Sequence, residues 1–354
     1  DLAAQPKAWQ EIAANDLAPA FWALVRSQLG YTDAEPSLRD LLVRVLVTDL
    51  CRSLDGAPPR QLAHFVLPDR ALAANASVFA ARWRSDLAFF SSYNVLARAV
   101  AQELNLAQLL ASYTAEQLAE CMAFEEVELR VVQDLKQRIV AGAGANMDVV
   151  HGLIARRRDG HWANPLLASA SERTRALAAC YDALTAAADF FSLKASHVAG
   201  FSFADAATAF GQYREYLYRF DQLYRHFHTA ADAVEPSGWA VLHELRTSIE
   251  NVYSGWFVPQ LGAAWAKVVE GDQGLLQRWA IPDVTPQQAF YEREVQPLYS
   301  GGAKRVFVVI SDALRYEVAQ ELVQFTNGKN RFKASLDAML GVLPSYTALG
   351  MAAL

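Results

Sequence analysis

Residues 306–310, Val306-Phe307-Val308-Val309-Ile310, form an uncharged apolar run that ends on Ser311-Asp312. A run of β-branched and aromatic residues with no polar alternation is the pattern of a strand covered on both faces, which means a parallel sheet between helices. Parallel strands cannot be joined by a tight turn, so a crossover has to follow. The chain supplies one: residues 313–325 carry a helical pattern, Asn327-Gly328 turns the chain, and about 336–342 reads as the next strand. The prediction is a βαβ unit. Two such strands do not make a viable sheet, because each expects neighbours, so the sheet is expected to be cut short at Leu354.

The strand ends carry the chemistry. An acid at the tip of a parallel strand, here Asp312, points into the crevice where open α/β sheets bind ligands. The second strand leads into Leu343-Pro344-Ser345-Tyr346-Thr347-Ala348-Leu349-Gly350-Met351, which places hydroxyls where a helix would begin. Helix starts attract phosphate through free N–H groups and the helix dipole. A carboxylate able to hold a metal and a hydroxyl able to take a phosphoryl group, on neighbouring tips, point to metal-assisted phosphoryl chemistry. Each half has a plainer alternative. Asp312 can simply cap a helix beginning at Ala313, and 343–351 can be a connection and nothing more. Arg315, about one turn into that helix, is a candidate phosphate contact, with an ion pair to a nearby acid as the alternative. Glu317 lies deeper and reads as a structural partner.

Residues before about 280 look different. Ser37-Leu38-Arg39-Asp40 resembles a capping box ahead of an apolar run over 41–50, and Thr114-Ala115-Glu116-Gln117 resembles another, predicted to open a helix that runs to about Val140. Phe210, Tyr213, Leu217, Phe220, Tyr224 and Phe227 recur at alternating spacings of three and four, one helical face. That stripe suits core packing, with base stacking as the alternative. Gly142-Ala143-Gly144-Ala145, Arg158-Asp159-Gly160 and Glu235-Pro236-Ser237-Gly238 read as connections. Thr285-Pro286-Gln287-Gln288 reads as the start of a short helix ending near Pro297, released by Gly301-Gly302. The predicted architecture is therefore α followed by α/β: a helical domain over 1–280, a linker and short helix over 281–302, and the opening of a parallel α/β domain over 303–354.

Composition narrows the function classes. A net charge of −6 argues against a generally basic nucleic-acid surface. Arg156-Arg157-Arg158, followed by His161 and Trp162, is the best local cluster for DNA phosphates, with a solvated turn as the alternative. Three scattered cysteines without a CxxC pair suggest reduced thiols and a cytoplasmic location. No signal segment opens the chain and no uncharged run reads as a membrane span, so no membrane partner is expected. The histidines show no HxxxH or HxxE pairing, so no zinc site is expected over 1–280. Because residue 1 is Asp rather than Met, the chain reads as an excised piece.

Val308-Val309-Ile310-Ser311-Asp312-Ala313-Leu314-Arg315-Tyr316-Glu317 and Leu343-Pro344-Ser345-Tyr346-Thr347-Ala348-Leu349-Gly350-Met351-Ala352-Ala353-Leu354 closely resemble the PglZ proteins of bacterial phage-exclusion (BREX and Pgl) systems. That family is in turn similar to the alkaline phosphatase superfamily. The resemblance implies a metal-dependent phosphoryl hydrolase, a phosphatase or phosphodiesterase, acting in phage defence. It implies that Asp312 is the first ligand of a two-metal, zinc, site and that Thr347 is the nucleophile, with Ser345 the runner-up. Superfamily members complete the metal site with downstream aspartates and histidines. One Asp and one Thr cannot hold two zincs, so the chain alone is expected to be inactive. The resemblance also suggests partners, other BREX components such as BrxB or the system's methyltransferase, for which the helical domain would be a docking platform; DNA, met through the Arg156–Arg158 cluster, is the further candidate.

Overall fold

The computed structural model describes residues 7–142, 146–167, 170–272 and 274–354. The chain is mainly helical. Among the described residues its sheet consists of two short parallel strands near the C-terminal end, Thr285–Pro286 and Met339–Leu340, with Thr285 opposite Met339 and Pro286 opposite Leu340. A large helical body with a small parallel α/β element is the architecture the sequence predicts.

The chain divides into two compact units, one from Asp1–Phe191 with His226–Arg246, the other from Ser192–Arg225 with Thr247–Leu354. In the first, Ser37 caps the helix Leu38–Ser53 as expected, its side chain accepting from the Asp40 N–H. That helix buries Val43, Leu46, Val47 and Leu50, each stabilising by about 1.5–3 kcal/mol relative to exposure. It packs on the helix Leu72–Ser85, whose buried contacts are the small Ala73, Ala76 and Ala80. The helix Glu172–Ala195 is long and apolar enough to cross a membrane on length and composition alone. Leu177, Cys180, Tyr181, Leu184 and Phe190 on it are instead buried in the protein interior, the condition of a core helix.

The predicted helix from Thr114 to Val140 is corrected in its first part. The capping box does form, with Thr114 Oγ1 accepting from the Gln117 N–H and Gln117 Oε1 from the Thr114 N–H. The chain then stays in turns, and the helix proper is Glu126–Ala141. A buried guanidinium explains the delay. Arg157 Nη1 donates to the carbonyls of Leu118, Ala119 and Cys121, fanned around one cation in a way that regular helix does not allow.

In the second unit Phe220 stacks on Phe257 at 4.4 Å and Tyr224 on Tyr253 at 3.9 Å. The aromatic stripe is core packing here. It is not one continuous α-helix: Ala206–Gln212 leads into a π-helical turn, Tyr213–Leu217, before the helix Tyr218–Val234. A second π-helical turn occupies Tyr253–Phe257.

The α/β segment departs most from expectation. Residues 305–310 form no strand pairing among the described residues, and Phe307 and Val309 are 83% and 90% exposed. The first strand of the predicted βαβ unit therefore does not form at 305–310, although a parallel strand pair with the helix Tyr316–Asn327 in its connection does. An apolar strand is stable only with a ladder neighbour and cover on both faces, and this run has neither. The partner of Met339–Leu340 is instead Thr285–Pro286, the residues that the capping pattern assigned to a helix start. Residues 287–300 then run as a short 3₁₀ turn, a π-helical turn and the helix Gln296–Ser300. Of the predicted strand over 336–342, Met339–Leu340 is paired. The helix predicted over 313–325 is Tyr316–Asn327. It starts late because Ala313 has φ 59° and Arg315 is extended, neither a helical conformation. Of the predicted connections, Arg158-Asp159-Gly160 and Glu235-Pro236-Ser237-Gly238 are chain reversals, while residues 143–145 lie outside the described residues.

Candidate functional site

Asp312 and Thr347 are brought together. Thr347 Oγ1 donates to Asp312 Oδ2 at 3.2 Å, and both residues are exposed. The simpler reading of Asp312, a helix cap, does not describe it. The N-cap of Tyr316–Asn327 is Arg315, without a side-chain cap bond. The Asp312 carboxylate points at a hydroxyl from the far end of the unit's sequence.

The Thr347 side is built from the short pairing. Met339–Leu340 runs into the loop 341–346, and Thr347 is the first residue of the helix Thr347–Ala352. Gln287, immediately after Thr285–Pro286, fixes this loop with both ends of its amide. Its Oε1 accepts from the Val342 N–H at 3.2 Å and its Nε2 donates to the Gly350 carbonyl at 2.9 Å. Trp279 adds a third tie, its indole N–H donating to the Gly341 carbonyl at 2.7 Å. Leu340 and Leu343 line an apolar cavity of about 390 Å³ with Phe203, Phe210, Trp265 and Trp279. Leu340 joins the buried cluster of Ala206, Val268, Leu275 and Ile281. The strand end that carries Thr347 is thus anchored in apolar packing, while its hydroxyl faces solvent.

The Asp312 side is anchored through charge. Arg315 pairs with the buried carboxylate of Asp221 and also reaches the Tyr253 hydroxyl. Asp221 accepts from the hydroxyls of Tyr213 and Tyr253 as well. The hydrogen bond to Tyr253 holds the Arg315 guanidinium above its ordinary range, with Asp221 reinforcing it. Burial raises the Tyr213 hydroxyl, and its bond to Asp221 raises it further. Arg225 donates to Glu317 at 3.0 and 2.8 Å and to Glu321 at 2.6 Å. Glu317, read from sequence as a structural partner, is fully buried in that role. Arg315, a candidate phosphate contact, is engaged in the ion pair that was its alternative reading. Ser345 lies on the exposed loop two positions before Thr347.

The basic cluster separates into three fates. Arg157 is wholly buried, with its guanidinium on Glu128, which also receives the Tyr181 hydroxyl. It cannot touch a nucleic acid, and that expectation is corrected. Helical geometry turns three consecutive residues to different directions, and the middle one points into the core. Arg156 pairs with Glu120 at 2.8 Å and Arg158 with Asp182 at 2.6 Å, so nearby acids offset both remaining charges.

A metal centre of the kind expected is not complete among the described residues. No three His, Cys, Asp or Glu side chains there group closely enough to hold an ion. Asp312 and Thr347 supply one carboxylate and one alcohol, where a catalytic zinc takes about three protein ligands. The residues present do not by themselves fit a zinc site.

Gln287, Asp221 and Tyr253 were missed from sequence. Gln287 sat in a pattern that also describes a helix start. Asp221 and Arg225 did carry a signal, opposite charges at i and i+4 beside a strongly apolar face.

Comparison with known proteins then bears on this site. Residues 290–354 match a family model described as the BREX system PglZ alkaline phosphatase-like domain. Over 342 residues the chain is 35% identical to the alkaline phosphatase-like protein BrxZ of Escherichia coli O9:H4 (strain HS), covering 96% of this chain and 38% of that protein. Over 348 residues it is 29% identical to the alkaline phosphatase-like protein PglZ of Bacillus cereus (strain H3081.97), covering 98% of this chain and 38% of the relative. The chain thus spans 38% of the length of each of these relatives. No solved structure matches it.

Proposed function

We propose that this chain, a relative of the PglZ and BrxZ proteins, is part of a phosphoryl hydrolase of a bacterial phage-defence system, with Thr347 as the attacking alcohol. The observation that carries this reading is the 3.2 Å hydrogen bond from Thr347 Oγ1 to Asp312 Oδ2. An acid singled out by type and position and the alcohol that the family resemblance points to meet at the reach that nucleophile activation requires. With its proton directed at Asp312, the Thr347 oxygen keeps a lone pair for phosphorus. Attack forms the P–O bond to Thr347, whose proton passes to Asp312, and breaks the bond to the leaving alcohol, which takes up that proton; water then cleaves the Thr347 ester, releasing phosphate from a monoester substrate or a monoester from a diester. Ser345, two residues earlier on the same loop, is the alternative nucleophile.

Under this reading Asp312 contributes one ligand to a metal centre, zinc by resemblance, whose other ligands are not among the described residues. The 354-residue chain by itself is then without hydrolase activity. Substrates are phosphomonoesters or phosphodiesters. Partners belong to the same defence system, BrxB or the methyltransferase among them. Free Cys51, Cys121 and Cys180 fit a cytoplasmic setting.

The test uses a protein of the relatives' full length that contains this chain. Hydrolysis of p-nitrophenyl phosphate and of its bis-ester is expected to be lost in Thr347→Ala and Asp312→Asn and retained in Ser345→Ala. Full activity in Thr347→Ala overturns the assignment.

A further inference from the structure

The helix Tyr218–Val234 presents an acid and a base one turn apart, Asp221 and Arg225. Each meets an opposite charge at the start of Tyr316–Asn327: Arg315 binds Asp221, and Arg225 binds Glu317 and Glu321. The arrangement is reciprocal, so sliding one helix along the other by a turn would set like charges together. Asp221 is 7% exposed and Glu317 wholly buried. Charges so placed are costly to leave unpaired, which makes the register exacting.

Both hydroxyls on Asp221 come from π-helical turns, Tyr213 opening one and Tyr253 the other. A π-turn inserts a residue and re-aims the side chains around it. Here two independent insertions deliver donors to one carboxylate. The carboxylate in turn holds Arg315, three residues after Asp312. Between them Ala313 sits at φ 59°, a conformation that side-chain-bearing residues avoid and that persists where flanking contacts impose it.

Resting on the phosphoryl-transfer reading, the geometry points to Arg315 as a positioning residue: its clamp on Tyr253 and on Asp221, which Tyr213 braces, holds the 312–315 loop so that Asp312 meets Thr347. Arg315 acts through the loop and does not touch the phosphoryl group.

Amide hydrogen exchange on the 354-residue chain tests the clamp directly. The N–H groups of Leu314, Val318 and Ala319 bond to carbonyls of Ser311 and Arg315 and report on the loop. In Arg315→Ala their exchange is expected to speed up about tenfold or more, while the helix Val258–Gly271 keeps its protection. Arg315→Lys, which keeps a cation opposite Asp221, is expected to restore protection to within about threefold. Asp221→Asn, of the same shape, gives a second release variant should Arg315→Ala unfold the unit. Unchanged exchange in a folded release variant overturns the clamp, whether or not any phosphoester is hydrolysed. In the full-length protein, Arg315→Ala is expected to lower kcat about 10–100-fold with KM within about twofold. A raised KM at unchanged kcat overturns the positioning role, because Arg315 would then bind substrate. Intact hydrolysis in Thr347→Ala defeats the phosphoryl reading and leaves the exchange result to decide the clamp.

Discussion

Thr347 donates its hydroxyl hydrogen to Asp312 across 3.2 Å, although 35 positions of sequence separate them. The bond is exposed, so it does little for stability: an exposed polar contact contributes a few tenths of a kcal/mol. Asp312→Ala should therefore shift the unfolding free energy by no more than about 0.5 kcal/mol in urea titration. In the full-length protein the same substitution should lower phosphoester hydrolysis by about a thousandfold or more. A large stability loss with activity retained would make the pair a structural contact.

Gln287 joins two segments through both ends of one amide. Gln287→Ala leaves the Val342 N–H and the Gly350 carbonyl without that partner, at about 1 kcal/mol for each lost bond. Urea unfolding followed by tryptophan fluorescence should show a loss of about 2 kcal/mol. No measurable loss would mean that the loop under Thr347 is held by other contacts.

Arg157 and Glu128 form a fully buried ion pair. Burial works against the guanidinium charge, but Glu128 and Tyr181 outweigh it and hold Arg157 above its ordinary range. Arg157→Met strands the carboxylate and frees three carbonyls, and should cost about 3–5 kcal/mol by chemical denaturation. The double change with Glu128→Met should recover part of that loss, since no buried charge is left unpaired. Additive losses would show that the carbonyl contacts, not the ion pair, carry the effect.

His161 contacts the side-chain oxygen of Asn94 at 2.7 Å. Burial, and then the nearby Arg84 and Arg98, lower its pKa from 6.5 to about 4. A base with a depressed folded pKa is neutral in the native state while the unfolded chain takes up a proton. Its contribution is therefore present above about 6.5 and is lost as pH falls towards about 4. The loss amounts to at most about 3 kcal/mol. Stability measured between pH 7 and 4 should fall less steeply in His161→Gln, and an identical slope would count against this assignment.

Ala313 tests the left-handed turn beside Asp312. At φ 59° the methyl group is disfavoured by about 1–2 kcal/mol, which glycine relieves at a comparable cost in unfolded-chain entropy. Ala313→Gly should be within about 0.5 kcal/mol of the parent, whereas Ala313→Val, β-branched at positive φ, should lose about 2 kcal/mol. Equal thermal stability of the two variants would show that the turn relaxes freely.

Much of the helical body was legible because its signals are local. Ser37 followed by Asp40 states a helix start whatever surrounds it, and the spacing from Phe210 to Tyr224 states an apolar face. The strand assignments failed at 305–310 for the opposite reason. Apolar β-branched residues declare a wish for cover, but a strand exists only when another segment pairs with it. The partner of Met339–Leu340 turned out to be Thr285–Pro286, whose residues suit a helix start equally well.

The sequence by itself singled out Asp312 and a set of hydroxyls behind apolar runs, readable from residue type and order, and the family resemblance picked Thr347 from that set. Only the tertiary structure decided that they touch, that Gln287 and Arg315 hold the two loops, and that Arg157 is buried while its neighbours face solvent. Those facts depend on which distant segments pack together, and packing is a property of many residues at once, carried by no single stretch of chain.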